Sequence, residues 1–355
     1  MAHLEVPKGN FFEDFTVGQN FQHGVPRTIS EADATLYLAL TGSRFPLNCA
    51  FTVAQSCGFN TAPLDNFLVF HVAFGKTVND ISLNAIANLG YAEVKFEHAC
   101  FAGDTLSVSS KVIGLKENSN GKSGIVYVHS IAINQFDQVV VSWKRWVMVA
   151  KADPEANQTE TVIPAYDTSV SPEQLHIPEE LSFKNWQPHF SDNQLKLDDL
   201  SIGDVIFHRD GMTINDSDHS LATRLYQNNA RVHFDQHMMN DRPNPHRLVY
   251  GGHIISMCRA LSYNGLGNIA WPCAINAGTH ANPSFAGDTI YCQSEILDLM
   301  ALEDREDLGL VRVKMLGIKN NTPDNMDSMF VEKDGKRRHH SDVVLDLDYW
   351  AFMIR

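Results

Sequence analysis

Apolar and polar residues alternate with a period of two through four stretches of the first half of the chain. These are "AEVKFEH" (92–98), "DTLSVSSKVIGL" (104–115), "SGIVYVHSIAINQF" (123–136) and "QVVVSWKRWVMVA" (138–150). The same alternation returns in the second half in "DTIYCQSEILDL" (288–299) and "LGLVRVKMLGIK" (308–319). Successive side chains of a strand point to opposite faces, so these runs predict antiparallel strands with one buried face. The stretches "ISEADATLYLAL" (29–40) and "INDSDHSLATRLY" (214–226) each open on a Ser or Asn cap followed by acidic residues, which predicts short helices. "FLVFHVAFGKTVNDI" (67–81) and "GGHIISMCRALSYNGL" (251–266) are longer, apolar and compatible with a helix. One apolar helix per half, followed by a meander of strands, must bury itself against the sheet, which is an α+β layer architecture.

The order of elements is the same in both halves because the sequence repeats. Asp14, Gly18, His23, Thr28, Ile29 and Asp33 meet Asp199, Gly203, His208, Thr213, Ile214 and Asp218 at one offset of 185 residues. "FAGDTLSVSSKV" from Phe101 meets "FAGDTIYCQSEI" from Phe285 at an offset of 184, so a duplication accounts for both matches with a one-residue slip. Between the halves Pro154, Pro164, Pro172, Pro178 and Pro188 stand among acidic and polar residues, which marks a linker. The expected organisation is a module over 1–150, a linker over 151–190 and a second module over 191–355.

A chain of 355 residues with 44% apolar and 20% charged residues has the balance of a globular protein and the length of two domains. A net charge of −14 without a Lys/Arg stripe argues against nucleic acid as a partner. The start "MAHLEVPKGNFFEDF" has neither a signal nor a transit pattern, and no apolar run reaches spanning length; a cytoplasmic protein without a membrane partner is expected. Six cysteines without ligand spacing read as reduced, mostly buried side chains, so neither a metal nor a disulfide framework is expected. The two FAGDT segments read as structural turns.

"TGSRFPLN" (41–48), its counterpart "QNNARVHF" (227–234) and the FAGDT turns resemble the MaoC-like, R-specific enoyl-CoA hydratases. Longer strings are similar to the mesaconyl-CoA (2-methylfumaryl-CoA) hydratases, also described as β-methylmalyl-CoA dehydratases. Among these strings are "LVFHVAFGKTVNDISLNAIANLGYAEVKF" (68–96), "ATRLYQNNARVHF" (222–234), "LVYGGHIIS" (248–256) and "NPSFAGDTIY" (282–291). The resemblance implies a double hot-dog fold, two tandem modules each with an antiparallel sheet wrapped around a central helix. It also implies an acyl-CoA thioester substrate and no cofactor. In that family an Asp and a His in a G-D-x-N-P-L-H segment activate water. Those positions fall on Ser43 and Asn48 in the first half, which implies a non-catalytic module, and on Asn228 and His233 in the second.

Hydration of a conjugated thioester needs a base for water, a proton for the α-carbon and donors for the charge on the thioester oxygen. Neutral imidazole at His233 can be the base. Asn228 has no basic site and can orient the water or the imidazole, leaving either a one-histidine mechanism or help from another carboxylate, with Asp235 in reserve. Gly252, with Gly251 next, is expected to expose amides to the oxyanion at the start of the second apolar helix. A free substrate carboxylate would suit a guanidinium, Arg231 first and Arg44, its counterpart in the silent half, second. His237, His253 and His71 read as packing residues. Hydration of itaconyl-CoA or of simple R-specific enoyl-CoA substrates, a hot-dog thioesterase and a non-catalytic acyl-CoA-binding protein remain alternatives. Sheet edges on such paired modules also make a homo-oligomer an expectation.

Overall fold

The structure is a computed structural model that describes residue 4, residues 6–156 and residues 160–355. In the first half, β1 (Asn20–Gln22) leads into α1 (Glu31–Thr41) and then α2 (Asn66–Lys76). Four strands follow: β2 (Ala85–Phe96), β3 (Thr105–Glu117), β4 (Ser123–Ile133) and β5 (Val139–Ala150). The second half repeats this order with β6 (Val205–Thr213), α3 (Asp216–Leu225), α4 (Gly251–Leu261), β7 (Ile269–Thr279), β8 (Thr289–Leu302), β9 (Arg305–Lys319) and β10 (Val343–Ile354). Helix α1 starts where its sequence says: Ser30 Oγ accepts from the Asp33 amide and the Asp33 carboxylate accepts from the Ser30 amide. It stops at Gly42, whose φ of 68° a side chain would resist.

All pairings are antiparallel, and one sheet runs through the molecule in the order β1-β3-β4-β5-β2-β7-β10-β9-β8-β6. The order reads the same from either edge. At the centre β2 pairs with its own duplicate β7, with Tyr91 opposite Gly278 and Val94 opposite Ile275. Residues 91 and 94 correspond to 275 and 278 at the 184 offset, so the ladder maps onto itself by a half-turn. The duplication seen in the sequence is therefore a pseudo-two-fold axis in space.

Each half-sheet wraps a central helix, and the two helices pack against each other at the axis. Every residue of α2 is buried, as are Gly252 to Leu261 of α4. Phe70 of α2 meets Phe74, Tyr91, Phe96 and Trp143 at edge-on angles and is itself fully buried. Burial of one such side chain contributes about 1.5–3 kcal/mol, with about 0.5–1.5 kcal/mol more from well-oriented ring pairs. This is the double hot-dog α+β architecture.

Two strands escape the alternation rule. β7 and β10 are buried along nearly their whole length. The linker explains this. It forms no α-helix or named strand among the described residues, yet its Val170, Leu181 and Phe183, together with Leu47, Val53 and Phe59, pack on Trp271, Leu310 and Trp350 on the side of the sheet away from α2 and α4. With both faces covered, a strand reads as a continuous apolar run. Pro272, which would ordinarily argue against a central strand, sits where the β7–β10 register shifts.

The repeated histidines and turns are structural. His23 donates through Nδ1 to the Asp80 carboxylate and meets Ser110 Oγ through Nε2, at 2.6 and 2.7 Å. His208 does the same with the Asn264 carbonyl and Ser294 Oγ, at 2.7 and 2.8 Å. In the FAGDT turns Asp104 and Asp288 each accept from the Phe amide three residues earlier, at 2.8 Å.

Candidate active site

Helix α3 ends in a tight reversal. Gln227 adopts a left-handed φ of 51°, the Asn228 amide donates to the Thr223 carbonyl, and Asn228 Oδ1 accepts from the Ala230 amide. This side-chain turn feeds a short 3-10 turn, Arg231–His233, that swings the His233 ring inward. His233 Nδ1 lies 2.8 Å from the Leu248 carbonyl. A carbonyl only accepts, so Nδ1 carries the proton and Nε2 presents its lone pair. Burial pushes the imidazole down to about 4, against the opposing pull of the Leu248 carbonyl and with His219 adding to the effect. The ring is therefore neutral at physiological pH.

The Leu248 carbonyl is close to the start of α4, whose N-cap is Tyr250. The first amides of a helix have no carbonyl partner within it and carry the positive end of its dipole. Here those amides belong to Gly251 and Gly252. A Cβ on Gly251 would lie 2.4 Å from His280 Cε1, and one on Gly252 would lie 2.4 Å from the Tyr250 ring and 2.6 Å from His71 Nδ1. Only glycine fits at either position. Rings close the rest of the site: Tyr250 stands 5.7 Å from His233, 5.7 Å from Tyr226, 5.8 Å from His71 and 6.1 Å from Phe74, between centroids.

His280 is the residue that sequence reasoning missed. It follows β7, over the start of α4, with Nε2 3.4 Å from the Tyr91 hydroxyl. Burial pushes its imidazole down to about 4, and the neighbouring His233 adds to this. Nothing local marks it, since it follows the strand whose alternation is erased by burial. His71, from α2, meets Ser256 Oγ of α4 through Nε2 at 3.0 Å, and burial holds it neutral at about 3.

A cleft of about 580 Å³ lies between the modules beside the segment that carries His233, lined by Gly75, Lys76 and Asn79 from the first and Thr223, Asn228 and Phe234 from the second. Lys76 crosses the junction to donate to Gln227 Oε1. The structure thus gathers His233, Gly251 and Gly252 around Tyr250, while Asn228 lines the neighbouring cleft. The Asp235 carboxylate instead caps the short helix Gln236–Met239, accepting from the Met238 amide at 2.9 Å. Arg231 is solvent-exposed. Arg44, also exposed, donates to Asn264 Oδ1 at 2.8 Å and lies over the Tyr263 ring.

In the first half the same positions are filled differently. Asn48 replaces His233 and donates through Nδ2 to the Pro63 carbonyl. Asp65 takes the place of Tyr250 as the N-cap of α2, and its carboxylate accepts from the Phe67 amide at 2.8 Å. Phe67 corresponds to Gly252, so the amide that an oxyanion would use is already occupied by a carboxylate of the chain.

The family model described as mesaconyl-CoA hydratase matches residues 4–328. The chain is 50% identical over 347 residues to β-methylmalyl-CoA dehydratase from Chloroflexus aurantiacus, covering 98% of this chain and 97% of that one. It is 45% identical over 352 residues to mesaconyl-CoA hydratase from Cereibacter sphaeroides, covering 99% and 100%. The crystal structure of a putative MaoC domain protein dehydratase from Chloroflexus aurantiacus superposes with a TM-score of 0.95 at 49% identity, over 99% of both chains.

Proposed function

We propose, from the premise that this chain belongs to the mesaconyl-CoA hydratase family, that it is a hydro-lyase that reversibly adds water to mesaconyl-CoA to give β-methylmalyl-CoA. The observation that carries the reading is the His233 ring, with Nδ1 tied to Leu248 and Nε2 left open, beside a helix start that only glycine can occupy.

In the hydration direction Nε2 of His233 takes a proton from water while the water oxygen bonds to the β-carbon. Electron density moves through the alkene onto the thioester oxygen, where the amides of Gly251 and Gly252 receive it. The imidazolium then returns its proton to the α-carbon, so one histidine serves as base and acid. Asn228 orients the water, and His280 shapes the oxyanion side. The inter-module cleft takes the thioester arm of CoA, with the first module as its wall.

The test is incubation of the purified protein with mesaconyl-CoA, following enoyl-thioester absorbance and product mass. Conversion without release of free CoA thiol is expected. No conversion by wild type removes the reading; full activity of His233→Ala removes the role of His233; thiol release turns it into a thioesterase.

A further inference from the structure

The molecule holds two arginines with no solvent exposure to speak of, Arg145 on β5 and Arg259 on α4. The pseudo-two-fold makes them a swapped pair. Phe74 of α2 and Arg259 of α4 each stand nine residues after their N-caps, Asp65 and Tyr250. Arg145 pairs across strands with Tyr91, and Tyr349 pairs with Ile275, which corresponds to Tyr91. The first module therefore has an aromatic ring on the helix and the arginine on the strand, and the second module has the reverse. The Arg145 guanidinium lies 4.3 Å from the Phe74 ring centroid.

The two differ in what neutralises them. Both have Nε and Nη1 buried without partners, but Arg259 Nη2 donates to the Ile269 carbonyl at 2.7 Å and its charge is favoured by the Asp65 carboxylate at the start of α2. Among the described residues Arg145 has no such carboxylate, and its one hydrogen bond is from Nη2 to Ser82 Oγ at 3.4 Å. A buried guanidinium without an anion is costly, and it is retained where something else supplies the charge.

Its position says what that anion is. Side chains paired across antiparallel strands project side by side, so Arg145 neighbours Tyr91, whose hydroxyl meets His280, whose ring covers Gly251. On the other side Phe74 links it to Tyr250 and so to His233. Arg145 is thus joined by contiguous side chains to the start of α4 on one side and to His233 on the other.

We propose that Arg145 is the specificity residue that binds the free carboxylate of the acyl substrate, which supplies the counter-charge that its surroundings lack. The assignment rests on the hydratase reading above and adds the group that selects a dicarboxylic thioester over a plain enoyl one. The trans carbon skeleton sets its carboxylate opposite the thioester, so one end engages Gly251 and Gly252 and the other Arg145, with the β-carbon held between them for His233.

The test compares mesaconyl-CoA with tiglyl-CoA, which has a methyl group where mesaconyl-CoA has its carboxylate. Wild type is expected to favour mesaconyl-CoA. Arg145→Met is expected to lose about 100-fold or more in kcat/KM on mesaconyl-CoA and to change about threefold or less on tiglyl-CoA. Arg145→Lys, which keeps the charge and loses the fork, should fall between them on mesaconyl-CoA alone, and it decides the matter if the Met variant does not fold. Equal losses on both thioesters in a folded variant, or unchanged selectivity in both variants, overturn the Arg145 assignment and leave hydration standing. Wild type that hydrates neither thioester overturns the hydratase reading and this proposal with it.

Discussion

Asn48 and His233 make the same hydrogen bond in the two halves of the molecule. Each donates a side-chain N–H to the carbonyl fifteen residues later, Pro63 at 3.1 Å and Leu248 at 2.8 Å. The contact holds the segment in both modules, and only the imidazole leaves a second nitrogen free for chemistry. His233→Asn is therefore expected to keep its thermal stability while losing about 10²–10⁴-fold in kcat on mesaconyl-CoA. A large loss of melting temperature would instead mark His233 as a packing residue.

The reverse exchange should gain nothing. Asn48→His places an imidazole in the first half, but the Asp65 carboxylate still occupies the Phe67 amide. Steady-state kinetics are expected to show kcat per chain unchanged. A doubling would mean that the start of α2 is open to an oxyanion.

Gly252→Ala puts a methyl group 2.4 Å from the Tyr250 ring and 2.6 Å from His71 Nδ1, both in packed surroundings. Overpacking of this kind costs about 1–3 kcal/mol. It should also lower kcat, since the displaced rings frame the site. Denaturant unfolding and initial rates measure the two effects separately, and wild-type values for both would contradict the close approach.

The acid dependence of activity follows from the depressed imidazole of His233, at about 4. Only the neutral form accepts a proton from water. The kcat/KM profile for hydration is expected to stay level from neutral pH down past the ordinary histidine range and to fall near pH 4, in a pH-jump assay short enough to outrun unfolding. An acid limb centred near 6.5 would show that the ring is not desolvated.

Stability should respond at higher pH. His71, His208, His233, His253 and His280 are pushed down to about 3–4, chiefly by burial. Between the ordinary value near 6.5 and those depressed values the unfolded chain binds protons that the folded chain refuses, so stability is complete above that window and is lost as pH falls through it. Each such histidine contributes a slope of about 1.4 kcal/mol per pH unit within the window. Melting temperature is expected to drop steeply from pH 7 to 5; a flat curve would contradict their burial as neutral rings.

Much of this molecule is legible without coordinates because its information is local or repeated. Period-two runs gave β3, β4, β5, β8 and β9, the Ser30–Asp33 capping box gave α1, and two constant offsets gave the internal symmetry. The segment that carries His233 stands out because its spacing recurs in both halves. What the line of residues could not decide was anything made by distant parts meeting. β7 and β10 show no alternation because a linker covers their second face. The His280 ring comes to lie against Gly251 only after the sheet has formed, and Arg145 acquires its neighbours from across strands and from α2. Arg231 and Arg44 looked suitable by position, and tertiary structure leaves both exposed to water, where a guanidinium is already solvated and gains little from a substrate carboxylate. Periodicity records which face of an element is buried. Burial, desolvation and the absence of a counter-charge are properties of the assembled interior, and they decide which of the candidate groups can do chemistry.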